Sequence, residues 1–74
     1  MVKFIDNWMF ATHIWCDADP SPMAIQTRQI AYFDERDDNK LGKHTVIITT
    51  NNDQIPIEGD IIEVLAELQK HLQS

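Results

Sequence analysis

Apolar residues crowd the stretch from Phe4 to Cys16, FIDNWMFATHIWC, in a pattern that reads as one strand with apolar side chains on both faces. Alternation sends Phe4, Trp8, Phe10, Ile14 and Cys16 one way and Ile5, Met9, Ala11, His13 and Trp15 the other. Both tryptophans of the chain lie on it, one per face. Asp17 to Pro22, DADPSP, is a cluster of turn formers that ends the strand.

Met23 to Phe33 has two readings. Ser21 and Pro22 suit an N-cap and a first helical position, yet on a helical wheel the apolar residues scatter to all sides. As a strand, Met23, Ile25, Thr27, Ala31 and Phe33 share one face, with Gln26 and Arg28 opposite. The strand fits better. Asp34 to Lys43 is charged, contains Asn39 and Gly42, and reads as an exposed hairpin loop. His44 to Thr50, HTVIITT, is the clearest strand, rich in β-branched residues on both faces. Asn51 to Asp53 forms a turn, and Gln54 to Ile57 is a short extended piece that Pro56 restricts to an edge or a connector.

The last segment is helical. Asp60 and Glu63 form a capping-box-like pair, and Ile61, Leu65, Leu68 and Leu72 make a stripe widened by Ile62 and Val64. Glu63 and Glu67 near its start, with Lys70 and His71 near its end, complement the helix dipole. The pattern therefore predicts an α+β fold: a three-stranded antiparallel meander, with room for a short fourth strand, and one C-terminal helix packed on one face. The opposite face keeps large side chains without cover.

Length sharpens that problem. With 74 residues there is room for one domain, residues 1–74, whose small core is marginal without a disulfide, a metal or a partner. The single cysteine excludes an internal disulfide and fits a reducing compartment. The opening residues do not resemble a signal peptide, and the longest uncharged run is too short for a bilayer, so the expected location is the cytoplasm. Self-association, as a homodimer, becomes the expected support. Met9, His13, Trp15 and Tyr32 are the expected interface, because the Phe4, Trp8 and Phe10 face is the more apolar and suits the helix.

Twelve acidic against six basic residues give a net charge of −6, which disfavours nucleic acid and anionic membranes as partners. The acids Asp34, Glu35, Asp37 and Asp38 could instead meet a basic protein. Small acidic chains of this kind occur as regulators or inhibitors, including phage-encoded blockers of host machinery, an analogy of size and charge alone.

Candidate chemistry is thin. His13, Cys16, Asp17 and Asp19 form H-x-x-C-D-x-D, the nearest approach to a metal or enzyme site, but alternation sends His13 and Cys16 to opposite faces and no further Cys completes a set. Nucleophilic catalysis would need His44 or His71 brought to Cys16, Ser21 or Ser74. Counted from Asp37, an EF-hand would place Gly42 correctly but Leu41 in a ligand slot and Ile48 where a glutamate belongs. With two isolated glycines there is no phosphate cradle. The aromatics lack the positive charge of base-stacking binders. The expectation is a non-catalytic interaction module with no cofactor.

Overall fold

The computed structural model describes residues 2–15 and 17–73. Its elements are β1 (Lys3–Ile5), β2 (Trp8–His13), β3 (Ser21–Gln26), β4 (Ile30–Asp38), β5 (Gly42–Thr49), β6 (Gln54–Ile57) and α1 (Ile61–Gln73). The class is α+β with the helix at the C-terminal end, but the antiparallel sheet among the described residues has six strands rather than three or four.

Two of the extra strands come from turns hidden inside apolar runs. The expected first strand folds back at Asp6 and Asn7, where Asp6 takes φ 53°, a left-handed conformation that Asp adopts more readily than bulky residues. Ile5 then pairs with Trp8, and Phe4 with Met9. Cross-strand partners share a face, so an even position on β1 looks the same way as an odd position on β2. Phe4, Met9 and Ala11 point into the core, while Ile5, Trp8 and Phe10 stay outside. The expected assignment of faces is thereby inverted on β2. Met9, expected at the interface, is fully buried in the core.

Met23 to Phe33 is neither one strand nor a helix. β3 ends at Gln26, a 3₁₀ turn occupies Thr27–Gln29, and β4 begins at Ile30. The turn is anchored by the Thr27 N–H and hydroxyl, which both donate to the Asn7 carbonyl. The Gln29 carbonyl accepts from the Thr50 N–H. Most of the expected loop from Asp34 to Lys43 is also strand. β4 runs on to Asp38, and the Asp38 carboxylate accepts the N–H groups of Lys40 and Leu41 to close the turn before Gly42, at φ 71°. This hairpin is polar because it projects beyond the core, so its composition imitates a loop.

The sheet path is β1-β2-β6-β5-β4, with β3 on the other side of β2. β3 covers all of β2, so β1 and β6 share the remaining edge, β1 at Trp8 to Phe10 and β6 at His13. A three-residue turn links the outermost strands β3 and β4, so the sheet must curl to bring them together. β6 lies between β5 and β2 despite Pro56. The Pro56 carbonyl accepts from the Ile14 N–H on the β2 side, so the missing proline N–H falls on that side and costs β5 no ladder bond.

Phe4, Met9, Ala11, Ile25, Ile47, Ile57 and Val64 join Val2 in the core on the concave side, where α1 packs against β1, β4 and β5. Asp60 caps the helix, its carboxylate accepting the Glu63 N–H at 2.8 Å. The buried stripe differs from the expected one. Val64 is fully buried, with Ile61 and Leu68 half-buried, whereas Leu65, Leu72 and Ile62 are exposed. Both stripes obey the helical period; the one used places small Val64 at the closest contact and stacks His71 on Phe4, ring centroids 6.0 Å apart.

Candidate functional site

The outer face of the sheet, away from α1, is closed at one end and open at the other. On β5, His44, Val46 and Ile48 point outward, yet each is at most 4% exposed. Their cover comes from the flanking strands. Arg36 on β4 reaches across β5 to donate to the Gln54 side-chain oxygen on β6 at 3.1 Å, while Asp34 holds its Nε at 3.1 Å. Such a side chain shields apolar neighbours with its methylenes and keeps its charge in water.

On β2 the flanking strands offer Lys3 opposite Phe10 and Gln26 opposite Trp8, but among the described residues no side-chain hydrogen bond joins them across the strand, and Gln26 is held by Arg28 instead. Trp8 and Phe10 are 42% and 43% exposed, and Ile5, the cross-strand partner of Trp8, is 48% exposed. The facing positions on β3 are Gln26 and Ala24, and those side chains leave both rings exposed. Ile5, Trp8 and Phe10 form one apolar patch on the uncovered side. Sequence reasoning missed this patch because it missed the Asp6–Asn7 turn; the adjacent Asp and Asn were the available signal.

The expected interface residues do not come together. Met9 is in the core, and Tyr32 lines a separate apolar groove of about 410 Å³ between β4 and α1 with Ile30, Phe33 and Leu65. His13 and Trp15 do meet, their ring centroids 3.7 Å apart at 38°, but His13, which pairs with core Ile57, belongs to the other face of β2 from the patch. Burial lowers the His13 pKa below the ordinary 6.5.

The expected acidic surface is split. Arg36 pairs with Asp34 and Lys43 with Glu35 at 3.4 Å, whereas Asp37 and Asp38 form no salt bridge among the described residues. Hydrogen bonds from the Leu41 amide foremost, and from Lys40, hold the Asp38 carboxyl below the usual range. Of the H-x-x-C-D-x-D cluster, Cys16 lies outside the described residues, and Asp17 and Asp19 are exposed. Among the described residues, no three His, Cys, Asp or Glu side chains gather as a metal site. Ser74, one of the nucleophile candidates, also lies outside them. Ser21 stands opposite His13 across β2 and β3, whereas His44 and His71 bond to the carbonyls of Gly42 and Asp6.

No family model, curated protein or solved structure matches the chain. Among the described residues, no helix is long and apolar enough to cross a membrane.

Proposed function

We propose that this chain is a non-catalytic protein-interaction module that pairs with a second copy of itself and offers its acidic hairpin to a basic partner protein, in the manner of a regulator or inhibitor. The observation that carries the reading is the contiguous Ile5, Trp8 and Phe10 patch on the face α1 leaves open. Scattered exposed apolar residues are ordinary on a monomer, but a contiguous aromatic patch marks a contact surface. A twofold axis through the patch would set Trp8 and Phe10 of each copy against the other, which suits a self-complementary apolar surface. The single cysteine suits work in a reducing compartment such as the cytoplasm.

Sedimentation equilibrium at micromolar concentration tests this reading. The wild-type chain is expected as a dimer and the Trp8→Ser, Phe10→Ser double variant as a folded monomer. A monomeric wild type overturns it.

A further inference from the structure

We infer that the outer face carries a second site, a trench between the β4–β5 turn and β6 that takes a lysine or arginine side chain from an extended segment of a partner protein. Two adjoining hollows, of about 350 and 470 Å³, share Leu41, Gln54 and Pro56 as common walls. The first holds Asp38, His44 and Val46; the second holds His13, Trp15 and Asp17.

The decisive group is His44, a polar residue only 3% exposed. Its Nδ1 lies 2.8 Å from the Gly42 carbonyl oxygen. A carbonyl can only accept, so Nδ1 carries the proton and Nε2 of the neutral ring keeps a lone pair. Among the described residues nothing meets Nε2, and no fully enclosed side-chain nitrogen or oxygen lacks a partner. Nε2 is therefore not fully enclosed, His44 lines the first hollow, and in the neutral ring this nitrogen is an acceptor without a donor. Beside it stands Asp38, whose Oδ1 is engaged by the amides of Lys40 and Leu41 while Oδ2 is unengaged.

Two acceptors, one of them anionic, thus stand beside half-buried Leu41 and Pro56, next to the Arg36–Gln54 bridge that covers Val46. A matching ligand needs an apolar stem and a cationic head with several N–H donors, which describes lysine and arginine. Of the other charges nearby, Arg36 is engaged by Asp34 and Gln54, Lys40 acts on Asp38 and opposes an incoming cation, and Asp37 adds negative charge at the rim. In the second hollow the exposed Trp15 ring beside Asp17 offers a surface for the neighbouring residue of the same segment, apolar or cationic.

This inference rests on the reading that the chain meets a basic partner, and places that contact in the trench rather than along the whole acidic hairpin. A fluorescein-labelled octapeptide alternating arginine with leucine is titrated by anisotropy, beside the same peptide with citrulline in place of arginine. Binding sites are mapped by ¹⁵N shifts of the backbone amides and of the His44 ring. The arginine peptide is expected to bind and to shift His44 Nε2 and the Leu41 amide, with the citrulline peptide at least tenfold weaker. Asp38→Asn, which keeps the oxygen that closes the turn, is expected to weaken binding at least fivefold; Asp53→Asn, at the opposite end of β5, leaves it within twofold. An unchanged Leu41 amide shift in unliganded Asp38→Asn shows that the turn survives. Equal effects of the two substitutions, or equal binding of the citrulline peptide, overturn the site. Binding with shifts confined to other regions overturns the site but leaves the basic-partner reading standing, whereas no binding at all overturns both.

Discussion

β5 and β2 belong to one sheet and present apolar side chains to its outer face, yet one is sealed and the other is bare. Over β5, long polar residues on both neighbouring strands, Arg36 and Gln54, meet above Val46 and close the surface from the sides. Over β2 the neighbours are β1, with Ile5 and Lys3, and β3, with Ala24 and Gln26; Gln26 bonds to Arg28 rather than across the strand, no bridge to Lys3 forms among the described residues, and the two rings stay exposed. A face without a helix is therefore not by default a binding face. It becomes one where the adjacent strands fail to supply a lid.

The strongest break of this contrast is within β2 itself. Met9→Ala empties a fully buried position and is expected to cost about 2–5 kcal/mol by urea denaturation. Removing the lid from β5 ranks second. Arg36→Ala uncovers Val46 and Ile48 and is expected to cost about 1 kcal/mol, with new binding of a hydrophobic dye as the second sign. Trp8→Ser with Phe10→Ser is expected to abolish self-association by sedimentation, while the monomer gives up only the part of each ring that it buries itself. The smallest effect is one of pH. The His13 pKa is lowered by burial, so the unfolded chain binds the proton more readily, and stability is full above the ordinary value of 6.5 and declines as pH falls through the lower folded value. His13→Gln should flatten that part of the stability profile in a denaturant series.

How much of this was legible in the residues follows from where the local signals were strong. The C-terminal helix carries its own start signal, Asp60 with Glu63, and HTVIITT can scarcely be anything but a strand; both are where the pattern puts them. The antiparallel α+β class follows from those two elements. The hairpin at Asp6 and Asn7 carries only that adjacent pair as its signal, with neither Gly nor Pro to strengthen it, and missing the two-residue turn exchanges the faces of β2 relative to β1. That single parity error misplaced Met9 and hid Trp8 and Phe10. The lid over β5 could not be read at all, since Arg36 and Gln54 are far apart in sequence and their meeting depends on β6 lying beside β5. His44 was noticed only as a distant base for a nucleophile; its buried ring and its bond to Gly42 depend on the hairpin register.

Pro56 carries a mechanical consequence. By turning its missing N–H toward β2, it leaves the β2–β6 junction with little more than the bonds around His13, Ile57 and Ile14, whereas the β4–β5 and β2–β3 ladders are long. The sheet thus has a seam. On one side lie β1, β2 and β3, on the other β4, β5 and β6, and α1 spans the division by resting on β1 as well as on β4 and β5. In native-state hydrogen exchange the amides of Ile14 and Glu58, which bridge the seam, should open before those of β5, and loosening α1 should uncouple the two halves as separate cooperative units.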